Sequence, residues 1–78
     1  MRKKEKQLVI SFETTTMALL MEKMCKEQEM PGRLIPLPPV ISAGCGLAWQ
    51  AGHWEMEVWE DFMKAKNIQF DAMRFVEI

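Results

Sequence analysis

The residue best suited to chemistry in this sequence is Cys45, which stands between Gly44 and Gly46. Glycine lacks a Cβ and adopts φ > 0 readily, so a cysteine between two glycines has little side-chain cover and a second backbone can approach it closely. Ser42 belongs to the same short stretch. The sequence offers no complete catalytic constellation beside this thiol, but if the protein performs chemistry, Cys45 is the first candidate.

Residues that could bind a metal are scarce. The chain has two cysteines and one histidine, whereas a structural zinc site usually takes four Cys or His ligands. A metal site would therefore need ligands from a second chain, and no cofactor is expected.

Length and composition limit the classes of function. With 78 residues the chain is one small domain, and we expect a flexible basic tail over 1–6 and a single folded domain over 7–78. A formal net charge of −1 argues against nucleic-acid binding by charge neutralisation. No apolar run approaches the roughly 18 residues of a membrane helix. Two cysteines and eight methionines suit a reducing compartment, so we expect a cytoplasmic protein.

Short runs of β-branched and aromatic residues predict four strands, over 8–12, 33–37, 47–51 and 70–78. With one helix after the first strand and one after the third, the order is β-α-β-β-α-β. This order is typical of an α+β, ferredoxin-like split β-α-β fold, a four-stranded antiparallel sheet with two helices on one face. In that topology the second strand lies at an edge, where Pro36 and Pro38, which cannot donate to a ladder, are tolerated.

Apolar residues at helical spacing define the two helices. We expect Thr14 to cap the first helix, which ends by Met30 before Pro31-Gly32, and Asn67 to act as C-cap of the second. The expected buried faces are Met17, Leu20, Met21, Met24 and Gln28, with Ala18 and Cys25 beside them, and then Trp54, Val58, Trp59, Phe62 and Met63.

The predicted topology brings several candidate residues to one edge of the sheet. The connection that contains Cys45 shares this edge with the start of the first helix, where unpaired N–H groups and the helix dipole favour an anion. Such a position can lower the pKa of a thiol. We therefore expect the run Thr14-Thr15-Thr16 near Cys45, together with Lys64 and Lys66 from the end of the second helix.

Cys25 and His53 are expected to lie away from that edge. Cys25 is 11 residues beyond Thr14 on the first helix, about 16 Å at 1.5 Å per residue, and a disulfide needs Cα atoms within about 7 Å. We assign Cys25 a structural role as a small buried hydrophobe. His53 precedes the second helix at the opposite edge, which disfavours a Cys–His dyad.

Four segments together resemble a family of small bacterial proteins described as selenium/sulfur carrier protein-like. They are the strand that ends in Phe12, the helix start Thr15-Thr16-Met17-Ala18, the element Arg33-Leu34-Ile35-Pro36-Leu37-Pro38, and Ser42-Ala43-Gly44-Cys45-Gly46-Leu47-Ala48. The resemblance extends from about Leu8 to Ile78. It implies a carrier that holds sulfur or selenium as a persulfide or selenopersulfide on Cys45, between a donor protein and an acceptor protein.

The alternatives for Cys45 stay open at this point. The thiol acts in redox chemistry or as a carrier, or the glycines serve only a tight turn in which Cys45 fills a small space, or it binds a metal with a partner chain. The matching functions are a sulfur or selenium carrier and a non-catalytic interaction module. Such a module would dimerise or dock through the sheet face that carries no helices, using an apolar patch from Trp49 or the fourth strand. An enzyme in its own right ranks third.

Overall fold

The computed structural model describes residues 6–38, 41, 46–52 and 55–77. The predicted element order is confirmed: β1 (Lys6–Ser11), α1 (Thr15–Glu27), β2 (Arg33–Pro36), β3 (Leu47–Gly52), α2 (Met56–Ala65) and β4 (Ala72–Glu77). Two strand starts differ from the sequence prediction by two residues: β1 begins at Lys6 and not at residue 8, and β4 begins at Ala72 and not at residue 70. The backbone N–H of Asp71 donates to the Ser11 carbonyl at 2.7 Å, so the chain enters the sheet only there.

The four strands form one antiparallel sheet in the order β2-β3-β1-β4. β1 and β3 are central and β2 and β4 are edges, as the ferredoxin-like topology requires. β2 ends at Pro36, and its edge position explains why a residue without an N–H donor is tolerated there.

One face of the sheet packs against both helices, and we call it the helix face. Leu8, Ile10 and Phe12 project onto it from β1 and its end, and Trp49 projects onto it from β3. Their alternation along the strands is the period of two that one buried face imposes. The helices bury Ala18, Met21, Cys25, Trp59 and Met63 against this layer.

The opposite surface of the sheet, the outer face, is partly covered by the chain itself. Val9, Ala48 and Val76 project from the central and edge strands, and Ile41 packs on them from the β2–β3 connection. Ile35 and Leu37 border this second cluster. The face without helices is therefore not a bare surface, because Ile41 packs on it.

Both helices end in the same way, with a residue in the left-handed region. Glu29 has φ 56° and Asn67 has φ 57°. At each end the next N–H reaches back to a carbonyl five residues earlier, Met30 to Cys25 at 2.8 Å and Ile68 to Met63 at 2.9 Å. This is the Schellman motif. Asn67 stands one residue beyond the C-cap, which is Lys66.

Two residues expected on buried helix faces are exposed. Gln28 is the C-cap of α1 and lies in solvent, and the buried stripe of that helix is Ala18, Met21 and Cys25. Val58 on α2 is 44% exposed. These two predictions were wrong because single-residue errors in helix phase move a side chain by about 100°.

Candidate functional site

Gly46 is the part of the Gly-Cys-Gly stretch that the structure describes; Ser42, Gly44 and Cys45 lie outside the described residues. Gly46 has φ +75°, and a Cβ built on it would meet no atom within 4 Å. It is exposed, yet its carbonyl accepts the N–H of Leu37 at 3.0 Å. The connection is thus closed by a backbone hydrogen bond at its base, and a backbone conformation that favours glycine follows the cysteine directly.

Ile41, in the middle of this connection, is also among the described residues. Its N–H donates to the Pro38 carbonyl at 3.0 Å, which makes a tight turn. Its side chain is 6% exposed and packs on Val9, Ala48 and Val76. Four residues separate Ile41 from Gly46, and Cys45 is the last of them. Sequence reasoning missed Ile41, because the apolar pair Val40-Ile41 after a proline-rich stretch is too short to show periodicity.

The three threonines begin α1 at the same edge of the sheet as Gly46. Thr14 is the N-cap, as predicted, and its Oγ1 accepts the Met17 N–H at 3.2 Å. The N–H groups of Thr15 and Thr16 then have no acceptor inside the helix. In the sheet Ser11, at the end of β1, pairs with Ala48, near the start of β3. Gly46 precedes Ala48 by two residues, so it lies at the edge of the sheet where α1 starts.

Charges of both signs surround this edge. Glu13 lines a small cavity of about 40 Å³ with Thr14, Met17 and Gln69, and the Gln69 N–H donates to the Met17 Sδ at 3.4 Å. The cavity therefore combines a helix N-terminus with a carboxylate.

The lysines at the end of α2 also have acidic neighbours. Lys64 lies in the last turn of α2, and Lys66 is its C-cap. Lys64 lines a shallow cavity together with Glu60 and Asp61. The positive charge expected from the two lysines is thus partly balanced by carboxylates on the same helix.

Cys25 is a buried structural thiol, as predicted. It is 1% exposed and forms no disulfide. Desolvation by burial raises the pKa of its thiol to about 12. Only a thiolate is an effective nucleophile, so Cys25 stays inert at neutral pH.

Trp49 and Trp59, the two tryptophans in the described residues, do not form a docking surface. Trp49 is 3% exposed, faces the helices and donates its Nε1–H to the Pro31 carbonyl at 3.3 Å. Trp59 is fully buried, with Phe62 edge-on at 5.9 Å between ring centroids. Val76, the apolar β4 residue in the outer-face cluster, is also buried. The apolar patch expected from Trp49 is therefore absent from the described part of the outer face. His53 and Trp54 lie outside the described residues.

Comparison with known proteins identifies a family for nearly the whole chain. The model of the family described as "Putative Se/S carrier protein-like" matches residues 7–74. No curated protein and no solved structure gives a significant match. Over the described ranges, no helix is long and apolar enough to cross a membrane. The chain belongs to the Se/S carrier protein-like family.

Proposed function

We propose that the protein carries sulfur or selenium on Cys45, between a donor protein and an acceptor protein. The observation that supports the proposal is the burial of the other thiol, that of Cys25. The chain has two cysteines, and Cys25 is buried with its pKa raised to about 12. In a family named for Se/S carriers, this leaves Cys45 as the carrier thiol.

The transfer is an exchange at a sulfane sulfur. The Cys45 thiolate attacks the terminal sulfur of a donor persulfide, R–S–SH, forming Cys45–S–SH and releasing R–S⁻. The acceptor thiolate takes the same sulfur in a second exchange of the same kind. No external oxidant or reductant is needed, because one S–S bond forms as another breaks. With a terminal selenium atom the same exchange produces a selenopersulfide.

The surroundings of the connection support this role. Gly46 is exposed, with open space at the position of a Cβ, which favours the approach of a donor protein to this end of the connection. The unpaired N–H groups at the start of α1, with Thr14 as cap, favour an anion at this edge. We propose that this edge, including Thr15 and Thr16, lowers the pKa of the Cys45 thiol, and that the protein acts in the cytoplasm.

The test compares thiol alkylation against pH in wild type, Cys25→Ala and Cys45→Ser, followed by mass spectrometry. We expect one fast thiol with an apparent pKa clearly below about 8.5, present in Cys25→Ala and lost in Cys45→Ser. Incubation with a low-molecular-weight persulfide should then add one sulfur atom to wild type and Cys25→Ala only. Slow alkylation of Cys45, or sulfur uptake that survives Cys45→Ser, would refute the carrier role.

A further inference from the structure

Two arginines lie on the outer face of the sheet. One row of residues crosses this face with one residue from each strand. Arg33 pairs with Gln50, Gln50 pairs with Val9, and Val9 pairs with Arg74. Both arginines are exposed. The only acidic residue in the four described strands is Glu77, and strand alternation puts it on the helix face. The charged side chains that the described strands place on this face are therefore both cationic, although the whole chain has a net charge of −1. A carboxylate stands beside the face just before β4, where Asp71 accepts the Ser11 hydroxyl at 3.4 Å.

One end of the row opens into a recess. It is a shallow, open depression of about 390 Å³, which we call the arginine recess, and its described lining residues are Gln7, Pro31, Gly32, Arg33, Gln50, Ala51 and Gly52. It lies where β1 and β2 begin and β3 ends. Gln7 and Gln50 are half-buried and each carries an amide that can donate two hydrogen bonds.

Close packing of Gly32 holds the wall of the recess. Gly32 has φ +116°, and a Cβ built on it would come within 2.5 Å of the Gln50 carbonyl oxygen and of the Trp49 Nε1. The adjacent Pro31 carbonyl accepts the Trp49 indole N–H at 3.3 Å. Only glycine fits this approach, and it fixes the start of β2 against β3.

A β-bulge shapes the opposite wall. The β1–β3 register shifts between Leu8 and Val9, whose partners are Gly52 and Gln50. Bulges redirect side chains and are over-represented beside functional sites. Here the bulge falls among the residues that line the recess. The recess is thus built from ordered backbone on both sides.

We propose that the arginine recess binds a carboxylate. Within the described ranges no carboxylate pairs with Arg33, so its planar guanidinium is available for a bidentate contact with two carboxylate oxygens. The amides of Gln7 and Gln50 add neutral donors. Among the described residues that line the recess, Arg33 is the single cation, and its charge matches that of a carboxylate. That carboxylate comes from an acidic segment of a partner protein or from a small carboxylic acid.

The binding site is separate from the proposed carrier chemistry. The recess lies at the end of the sheet opposite to the β2–β3 connection, which follows Pro36 and precedes Leu47. Binding there can be measured without any sulfur donor. A failure of either proposal therefore leaves the other one standing.

The test is a titration of backbone amide NMR signals of the full chain. The probes are sodium succinate, an acetylated peptide of glutamates, inorganic phosphate and a single-stranded RNA oligonucleotide. We expect saturable shifts at Gly32, Arg33 and Gly52 with the two carboxylate probes. Arg33→Gln should weaken this binding at least about tenfold, since a charge-assisted bidentate contact is lost. Arg74→Gln, which removes the same charge from the other end of the row, should change it by less than about twofold.

The relative affinities of the four probes show where the carboxylate comes from, and whether the recess prefers phosphate or RNA instead. Tighter binding of the glutamate peptide identifies a protein partner, and tighter binding of succinate identifies a small acid. The proposal is overturned if neither carboxylate gives saturable shifts, or if Arg74→Gln weakens binding as much as Arg33→Gln. Binding of phosphate or RNA in preference to both carboxylates overturns it as well.

Discussion

At the scale of single residues, burial makes Cys25, the one described cysteine, unreactive. Cys25 packs among Met21, Trp49 and other side chains of the helix-face core. A thiol and a thiolate differ greatly in their cost of burial, because the charged form loses its hydration. The same desolvation that makes Cys25 inert also makes the stability of the fold depend on pH.

We expect the free energy of unfolding to fall in alkaline solution because of Cys25. An unfolded cysteine titrates near about 8.5, whereas the folded Cys25 has a pKa of about 12. Below about pH 8.5 the thiol is protonated in both states, and its contribution is complete. Between the two pKa values only the unfolded state loses the proton, so stability falls by up to about 1.4 kcal/mol per pH unit.

Urea unfolding of wild type and Cys25→Ala between neutral pH and pH of about 11 measures this effect. The variant should show a shallower fall, whereas Cys45→Ser should retain the contribution of Cys25. The chain contains no tyrosine, which removes one other group that titrates in this range. Parallel curves for wild type and Cys25→Ala would contradict the assignment.

At the scale of elements, α1 and α2 both end in a Schellman motif, with Glu29 and Asn67 in the left-handed position. Asparagine tolerates the left-handed region well, whereas Glu29 adopts it at a cost in backbone strain. Glu29→Gly should therefore stabilise the fold by about 0.5–1 kcal/mol, since relief of strain exceeds the added entropy of the unfolded chain. Thermal and urea unfolding report the change. Glu22→Gly, the same substitution inside α1, should instead destabilise by about 1 kcal/mol, and a loss of stability in both variants would argue against the strain at Glu29.

The β2–β3 connection is the element that sequence patterns describe least well. Its length and its glycines indicate a loop, but the turn from Pro38 to Ile41 and the burial of Ile41 depend on a surface formed by three other strands. Ile41 is therefore part of the packed structure on the outer face. The two ends of the connection are joined by the hydrogen bond from the Leu37 N–H to the Gly46 carbonyl.

At the scale of the whole molecule, the sheet has a core on each face, and the smaller one depends on Ile41. Ile41→Val removes one buried methylene-sized group and should destabilise the protein by about 0.5–1.5 kcal/mol. Val58→Ala removes more carbon from a side chain that is 44% exposed and should change stability by less than about 0.5 kcal/mol. Urea unfolding compares the two, and an Ile41→Val variant as stable as wild type would show that the outer-face cluster adds little.

The sequence by itself determined the order of the elements, the edge position of β2 and the cap of α1. These features rest on local causes: hydrophobic period, proline without an N–H, and a threonine at a helix start. The same local reading selected Cys45 from its glycine neighbours and Cys25 from its helical spacing. Burial in the structure confirms the role of Cys25, and the role of Cys45 stays a prediction.

Tertiary structure alone decided which distant residues meet. Gln7, Arg33 and Gln50 come from three strands, and only the sheet order and the register at the bulge bring them to one recess. Gly32 reads as a simple helix breaker in the sequence, yet its lack of a Cβ serves the close approach to Trp49. Contacts of this kind depend on register and packing between segments far apart in the chain, and local periodicity carries no information about them.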